Sequence, residues 1–294
     1  MCQTARRPST PGSAGLGYHQ AVSLPLDDTR QIAEEHESYN ATLVRREDDT
    51  DDLACFWVRF DGEPTPFEPG QYMTIGVVTD GKMLQRPYSV ASSARQTADG
   101  YEMYVRHVPV MRFTTALWRL PLGHRMRMIG PKGKFMLEPE DERTHLFIST
   151  GTGIAPFISM MRTLLEDGTA RRAILLHGVS YVSDLGYRDL LERWQETGEY
   201  PAIYVPTVSR PNDPANAGWQ GRTGRVEANV ASVCDELDLT PANCVAYICG
   251  NPEMIVSAEG VLLERGFEKP QVKTELYWPK AREPRPAAAP ATTG

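Results

Sequence analysis

The chain of 294 residues is long enough for two domains of ordinary size, each with its own core. Hydrophobic residues make up 41% of it and charged residues 23%, which is globular composition and excludes a disordered protein. The net charge of −7 argues against a general nucleic-acid binder, and no stretch approaches the ~18 apolar residues of a membrane span.

The five cysteines are odd in number, scattered, and form no C-x-x-C pair. This pattern supports neither a metal site nor a disulfide framework. No apolar run follows the first arginines, as it would in a secretory signal. We therefore expect a reduced, cytoplasmic protein without a metal, and we expect it to be a monomer.

Both ends of the chain differ from the part between them. Residues 1–37 begin rich in Ser, Pro, Gly and Ala and then turn polar, without the periodicity of a helix or a strand. Residues 279–294 contain five prolines or glycines and no core-forming side chains. We expect a mobile N-terminal arm over 1–37 and a disordered tail over 279–294.

Residues 38–140 form a series of short strand-like segments separated by turn signals such as DDTDD, TDG, ADG and PKG. The six candidate strands are ATLVRRE, LACFWVRF, QYMTIGVV, YSVASS, YEMYVRHV and HRMRMIG. One helix is predicted to begin near Thr114, with a threonine as its N-cap. Six short antiparallel strands predict a small β-barrel.

Residues 141–278 instead alternate strand, turn and helix. The five candidate strands are THLFIST, RAILLHG, AIYVPTVS, CVAYICG and QVKTELYW. Helices are predicted to begin near Ile154, Asp184, Arg225 and Pro252. This alternation predicts an α/β domain with a five-stranded parallel sheet, whose ligand site lies at the carboxyl ends of the strands.

The segment STGTGIAP, residues 149–156, joins the first strand of this domain to its first helix. Gly151 and Gly153 allow the backbone to approach an anion closely, and a helix N-terminus offers unpaired N–H groups. Pro156 suits the first helical turn because it has no N–H to leave unpaired. A tight turn alone would also explain the glycines, but the context favours binding of a pyrophosphate.

The tetrapeptide RPYS, which begins at Arg86, lies in the strand-rich half. An arginine can bind a pyrophosphate through two hydrogen bonds, an aromatic ring can lie against a planar ring, and a hydroxyl can reach a ring nitrogen. Alone, the same residues would be an ordinary surface charge and a half-buried ring. Together with the glycine turn they indicate a nucleotide-type cofactor.

Two further motifs, CGNP from Cys249 and ELYW from Glu275, end the last two strands. No His or Lys neighbours Cys249 in sequence, so we expect it to contact a bound ring rather than to act as a covalent nucleophile. The ELYW motif places a carboxylate and two aromatic rings at the same edge. A small buried residue and an aromatic strand end would be the structural alternatives.

RPYS, GTGIAP, HG, VSR, CGN and E-x-Y-W occur in this order. Together they resemble the ferredoxin–NADP(+) reductase family, in particular its bacterial ferredoxin/flavodoxin reductases, over roughly residues 38–278. The resemblance implies that residues 38–140 bind FAD and that residues 141–278 bind NADP(H). It also implies hydride transfer at flavin N5.

The resemblance implies a role for each residue around the flavin. Arg86 binds the FAD pyrophosphate, Tyr88 stacks on the isoalloxazine, and Ser89 approaches N5. The other implied flavin contacts are Pro87, Tyr104, Val105, Arg106, His107, Arg112, Phe113, Thr114, Gly151, Thr152 and Gly153.

Around the nicotinamide the resemblance implies that Cys249, Glu275 and Tyr277 act with Ser89 as the catalytic residues. Arg210 and Arg225 are the candidates for binding a 2′-phosphate, because each guanidinium can pair with it. Several bacterial relatives have an arginine where this chain has Ser180. The implied nucleotide contacts are Ser180, Ser209, Arg210, Arg225, Gly250, Asn251, Tyr277 and Trp278.

Residues 103–137 contain seven Arg or Lys and no Asp or Glu. This stretch is either a solvated face or a site for phosphates or an acidic partner. With the resemblance, we expect electron transfer between NADPH and an acidic carrier protein, a ferredoxin or a flavodoxin. The alternatives are an NADH-dependent reductase component of an oxygenase, a free-flavin reductase, and a flavin-free binding protein on the same scaffold.

Overall fold

The computed structural model describes residues 31–276, and its two halves are built on two six-stranded sheets. The first sheet has the order β4-β3-β6-β1-β2-β5, with all neighbours antiparallel. Its strands are β1 (Ala41–Thr50), β2 (Leu53–Phe60), β3 (Tyr72–Thr79), β4 (Lys82–Ser89), β5 (Tyr101–Arg106) and β6 (Arg125–Lys132). A bridge between Val90 and Met103 joins the two edges, so the predicted antiparallel barrel is confirmed.

The fourth strand begins earlier than the segment YSVASS predicts. Asp80 and Gly81 both have positive φ and form a two-residue turn, which pairs Thr79 with Lys82 and starts β4 at once. Pro87 is tolerated inside this strand because β4 lies at the edge of the sheet.

The one helix of this half is α1 (Arg112–Trp118), and its N-cap is Met111 rather than a threonine. The hydroxyl of Thr114 donates instead to the carbonyls of Val108 and Met111 and accepts from the N–H of Val108. The threonine therefore fixes the loop before the helix from within the first turn.

The second sheet has the order β10-β9-β8-β7-β11-β12 and is parallel throughout. Its strands are β7 (Thr144–Thr150), β8 (Ala173–Val179), β9 (Ala202–Val208), β10 (Arg222–Thr223), β11 (Cys244–Gly250) and β12 (Val272–Leu276). Its helices are α2 (Ala155–Glu166), α3 (Arg188–Thr197), α4 (Val226–Glu236) and α5 (Pro252–Glu264). The predicted α/β domain is confirmed, and the sheet gains a sixth strand because the long loop after β9 returns to pair with it.

The second half departs from the sequence prediction at one helix. Near Asp184 there is only a short 3-10 turn, Val182–Asp184, and α3 begins at Arg188 after Tyr187, which has φ of 60°. β8 and β11 are fully buried, as expected for a sheet covered by helices on both faces.

Some predictions fall at or beyond the ends of the described residues. The segment Gln31–Ala33, which the sequence assigns to the mobile arm, bonds to β3: Ile32 pairs with Thr79, and Ala33 donates to Val78. Residues 1–30 and 277–294 lie outside the described residues, and with them most of the arm, the tail, Tyr277 and Trp278. Over 31–276, no helix is long and apolar enough to cross a membrane.

Candidate active site

The carboxyl ends of the parallel strands bring the sequence motifs to one edge of the second sheet. β11 lies between β7 and β12, with Cys249 opposite Ser149 on one side and Glu275 on the other. The barrel strand β4 ends against this edge, where the hydroxyl of Ser89 donates to Oε2 of Glu275 at 3.3 Å. The structure therefore brings together Ser89 and Glu275 from two different sheets, with Cys249 beside Glu275 on the neighbouring strand.

Burial controls the protonation of this cluster. It raises the pKa of Glu275 to about 7, while the hydrogen bond from Ser89 opposes the rise. The Cys249 thiol is fully buried, and burial, with a smaller contribution from the Glu275 charge, raises its pKa well above the ordinary value. Cys249 is thus a neutral, unreactive side chain, which fits contact with a ring and not nucleophilic attack.

The RPYS motif presents a cation and a ring at the end of β4. The Arg86 side chain is exposed and donates to the carbonyl of Gln85, and it has no carboxylate partner within residues 31–276. Tyr88 is largely buried, which raises its pKa, and its ring lies 6.0 Å from that of Phe113. Pro87 is exposed between them. Arg86 can therefore bind an anion without first breaking an ion pair.

The glycine turn has the shape that the phosphate hypothesis requires. Residues Gly151–Ile154 form a 3-10 turn that runs into α2, and Gly151 has φ of 51° with open space where a side chain would point. A Cβ on Gly153 would lie 2.5 Å from the Cys249 carbonyl oxygen, so only glycine allows the turn to approach β11. Thr152, between the two glycines, is half-buried.

A neighbouring contact joins the turn to the next motif along the edge. The Thr150 hydroxyl accepts from the N–H of Asn251 at 2.9 Å. Gly250 has φ of 139°, and a Cβ there would lie 2.3 Å from the same hydroxyl. Asn251 in turn caps α5 by accepting from Glu253 and Met254. Gly250 and Asn251 therefore pack against Thr150 at the end of β7, and the Asn251 side-chain oxygen is already used in capping α5.

His177, the histidine of the HG motif, bonds to the backbone of the glycine turn. It is fully buried and burial lowers its pKa to about 4, so the ring is neutral at pH 7. Its Nε2 lies 3.0 Å from the carbonyl of Gly151 and its Nδ1 lies 3.2 Å from the Tyr204 hydroxyl. A carbonyl only accepts, so Nε2 carries the proton and Nδ1 accepts from Tyr204.

Two side chains of residues 104–106, which the resemblance implies as flavin contacts, bond to carboxylates of the protein. The buried Tyr104 hydroxyl donates to Asp49 at 2.9 Å, and Arg106 pairs with Asp52 at 2.7 Å and Asp184 at 3.0 Å. Together with the Thr114 hydroxyl, these side chains are occupied within the protein. To contact FAD, the polar atoms of these side chains would have to share or break these bonds.

The other side chains of these two segments have different surroundings. Val105 and Phe113 are buried in the barrel core, whereas Arg112 is exposed at the start of α1. The His107 ring stacks on Trp118, with 5.2 Å between centroids and 18° between planes. Arg112 is therefore the side chain of this group best able to reach a phosphate.

The two candidate arginines for a 2′-phosphate lie beyond β9. Arg210 donates from Nη1 to the Tyr181 hydroxyl at 2.6 Å, and its guanidinium carbon lies 5.2 Å from the centre of that ring. Arg225 is 69% exposed, with Glu227 and Glu253 at 3.8 and 3.9 Å. Arg210 is therefore held in place and has no carboxylate partner among the described residues, whereas Arg225 is exposed and has two carboxylates near it.

The smaller residues of this region contribute through their backbone. The N–H of Ser209 donates to the carbonyl of Val179, and the carbonyl of Ser180 accepts from the side chain of Asn216. Sequence reasoning missed Tyr181 and Asn216, because neither belongs to a motif and their roles depend on how two loops meet.

FAD and a nicotinamide nucleotide fit the residues that are present. Arg86 has no carboxylate partner within 31–276, and nothing lies within 4 Å of the position that a Cβ on Gly151 would take, so each of them can receive an anion. The flavin would be held by Arg86, Tyr88, Ser89 and the glycine turn, and the nucleotide by the turn and Arg210.

Comparison with known proteins agrees with this arrangement. The oxidoreductase FAD-binding domain family matches residues 40–137, and the oxidoreductase NAD-binding domain family matches residues 147–260. The chain is 33% identical to ferredoxin–NADP reductase B of Sorangium cellulosum, over 74% of this chain and 88% of the relative. It is 29% identical to the phenol hydroxylase P5 protein of Acinetobacter pittii, over 82% of this chain and 66% of that longer protein.

The fold also matches a solved structure. A ferredoxin–NADP+ reductase from Neisseria gonorrhoeae with bound FAD and NADP superimposes with a TM-score of 0.70 at 23% identity, over 83% of this chain and all of that one. Barrel, parallel sheet and site together define an FAD-dependent oxidoreductase that uses a nicotinamide nucleotide. Within that class, the chain belongs to the ferredoxin–NADP reductase family.

Proposed function

We propose that the protein passes electrons between NADPH and a separate one-electron carrier protein, a ferredoxin or a flavodoxin, through FAD. The observation that carries this proposal is the hydrogen bond between Ser89 and Glu275, which joins the flavin-binding barrel to the nucleotide-binding edge. FAD, when bound, accepts a hydride at N5 and returns electrons one at a time. The similarity to a protein named ferredoxin–NADP reductase B supports a separate carrier protein as the electron acceptor.

The chain's own residues bind and orient the reactants. Arg86 and the Gly151 turn hold phosphates, and Ser89 and Glu275 lie where the two reacting rings would meet. Glu275 can accept or release a proton near pH 7 at that point. Cys249 contributes a neutral, buried side chain next to Glu275. The proposed catalytic residues are Ser89, Cys249, Glu275 and Tyr277.

The positive charge of Arg210, in the loop after β9, favours binding of NADPH over NADH. Arg210 has no carboxylate within ion-pair distance among the described residues, and it is already fixed against Tyr181. A 2′-phosphate would supply the missing anion through charge-assisted hydrogen bonds. Arg225 would contribute less, because Glu227 and Glu253 already lie beside it.

Several basic side chains of residues 103–137 have partners within the protein, so fewer of them can contact an acidic carrier. Arg125 pairs with Asp61 and Glu35, Arg106 is paired as described above, and Arg127 donates to the carbonyl of Ser38. Lys132 and Lys134 stay exposed, without an ion pair to any described residue. Lys132 and Ser89 both pair with Tyr72, so two strand spacings, about 10 Å, separate a free lysine from the reactive edge.

The proposal is tested by NADPH-driven reduction of a purified ferredoxin, measured by absorbance. The rate should fall steeply as salt rises to physiological strength, because screening weakens the steering of an acidic carrier. Lys132→Glu should slow the reaction at low salt by about tenfold and leave ferricyanide reduction unchanged. Lys82→Glu, an exposed lysine at the far end of β4, is the matched control. A salt-independent rate, or equal loss in both variants, would contradict this docking face.

A second candidate is supported by the match to the phenol hydroxylase protein: an NADH-dependent reductase component of an oxygenase. The two functions are separated by kcat/KM for the two nucleotides, which favours NADH in the second case. Four described cysteines are free and buried, which supports a reducing, cytoplasmic location. One chain supplies Ser89, Cys249 and Glu275 of the proposed site, which supports a monomer.

A further inference from the structure

We propose that Asn216 is a positioning residue that sets the selectivity of the nucleotide site for a 2′-phosphate. It ends the short turn Pro214–Asn216 in the loop between β9 and β10, and only 2% of it is exposed. It belongs to no motif in the sequence. The inference rests on the proposed use of NADPH.

The Asn216 amide bonds two loops at once. Its Oδ1 accepts from the N–H of Val182 at 2.8 Å, and its Nδ2 donates to the carbonyls of Ser180 at 3.0 Å and Arg210 at 2.8 Å. Ser180 and Val182 flank Tyr181, so the amide holds the loop after β8 on both sides of that tyrosine. The same side chain holds the loop after β9 at Arg210. Both amide N–H groups and the amide oxygen are used.

The two residues that Asn216 holds form the cationic end of the site. Tyr181 accepts a hydrogen bond from Arg210 and lies beneath its guanidinium. This contact restricts a long side chain before any ligand arrives, so less conformational entropy is lost on binding. With no carboxylate within ion-pair distance among residues 31–276, the fixed cation keeps its full charge for a phosphate.

Asn216 therefore acts on one part of the nucleotide. NADH lacks the 2′-phosphate and gains nothing from a fixed Arg210. Asn216 bonds neither to the Gly151 turn nor to Cys249 or Glu275, whose partners lie elsewhere along the sheet edge. Loss of the amide should release Tyr181 and Arg210 and weaken NADPH binding selectively.

The test uses Asn216→Ala and Asn216→Asp in the flavin-loaded enzyme. Asn216→Asp keeps the shape and the bond to Val182 but cannot donate to the two carbonyls. Titration calorimetry would measure binding of adenosine 2′,5′-bisphosphate and adenosine 5′-monophosphate, and kinetics would give kcat and KM for both dinucleotides. We expect the bisphosphate Kd and the KM for NADPH to rise about tenfold. KM for NADH, and both kcat values, should stay within about twofold.

The matched control is Asn243→Ala. Asn243 makes similar bonds, accepting from Thr240 and donating to Asp238, in the turn before β11 at the opposite edge of the sheet. Nucleotide selectivity should not change there. In the double variant of Asn216 and Arg210 to alanine, binding of the bisphosphate should be no weaker than with Arg210→Ala alone, because Asn216 acts through Arg210.

Two outcomes are distinguished. A wild-type enzyme that binds the bisphosphate no better than the monophosphate would overturn the proposed use of NADPH. A wild-type preference that survives Asn216→Asp, or equal losses for NADH and NADPH, would overturn the role of Asn216 alone. If Asn216→Ala does not fold, Asn216→Asp decides the question, since its flavin absorbance reports an intact barrel.

Discussion

Glu275 should make the stability of the protein depend on pH in the neutral range. Burial raises its pKa to about 7 from the ordinary value of 4.5, so the folded state binds more protons than the unfolded state between these values. Stability contributed by this group is therefore lost as pH rises from about 4.5 through 7. Glu275→Gln cannot ionise, so the Tm of the wild type should fall relative to that of the variant between about pH 5 and 8.

The matched control for this pH profile is Glu264→Gln, an exposed carboxylate near the end of α5. That variant should follow the wild-type profile across the whole range. If wild type and Glu275→Gln run parallel from about pH 5 to 8, the buried carboxyl is not protonated in the folded protein.

At the scale of single residues, the sequence predicts those parts of the site that stand at strand ends. Cys249 and Glu275 could be predicted to be neighbours, because parallel strands share a carboxyl edge. Ser89 lies in the other sheet, and its contact with Glu275 was implied only by the family resemblance. Tyr181 and Asn216 could not, because their roles depend on the path of two loops. The same is true of Arg106 and Arg125, whose neutralising carboxylates lie far away in sequence.

At the scale of elements, His177 should set the shape of the glycine turn. In His177→Leu the Gly151 carbonyl loses its donor, which should weaken NADPH and NADH binding alike, by about tenfold, and reduce stability by about 1–3 kcal/mol. His177→Gln can still donate and should retain much of the affinity. Binding is measured by fluorescence or calorimetric titration, and stability by urea denaturation.

His145 offers a matched control in the same sheet. It is as buried as His177, at the amino end of β7, and neither ring nitrogen has a hydrogen-bond partner within the described residues. Since His145 does not bond to the Gly151 turn, His145→Leu should leave nucleotide binding unchanged. A comparable loss of affinity in His145→Leu would show that His177 acts through packing and not through Gly151.

The elements predicted best are those with a strong local signal. β7 and β11 begin and end where continuous apolar runs place them. The bounds predicted for β4 were wrong, because a proline and an exposed arginine, Pro87 and Arg86, are not typical of a strand interior. β10 was missed because two residues carry no pattern. The helix α1 was predicted, but it begins two residues before Thr114 and its N-cap is Met111, because Thr114 bonds the preceding loop from inside the first turn.

At the scale of the whole molecule, a buried polar network joins barrel and α/β domain. Glu102 of β5 accepts from Arg162 of α2 at 2.6 Å and from the Tyr187 hydroxyl at 2.7 Å, and its side chain is 5% exposed. Arg162 also donates to the Ala91 carbonyl at 3.0 Å. These partners are 60 or more residues apart, so no local sequence pattern could have paired them.

The Glu102–Arg162 network should contribute much more to the stability of the domain interface than the exposed ion pair between Arg95 and Asp167 does. Glu102→Ala leaves Arg162, whose side chain is 26% exposed, without its carboxylate, which should reduce the free energy of unfolding by on the order of 2–3 kcal/mol. Arg95 pairs with Asp167 across the same interface, but the two side chains are 58% and 32% exposed. Arg95→Ala should therefore reduce it by less than about 1 kcal/mol, because solvent screens the pair.

Urea denaturation of the flavin-loaded protein, followed by flavin and tryptophan fluorescence, would measure both effects. Because the network fixes the barrel against the sheet edge where Ser89 meets Glu275, Glu102→Ala should also slow flavin reduction by NADPH in stopped-flow experiments. Arg95→Ala should not. Equal stability losses in the two variants would mean that burial adds nothing to the cross-domain pair. Unchanged flavin reduction in Glu102→Ala would mean that other contacts fix the reacting geometry.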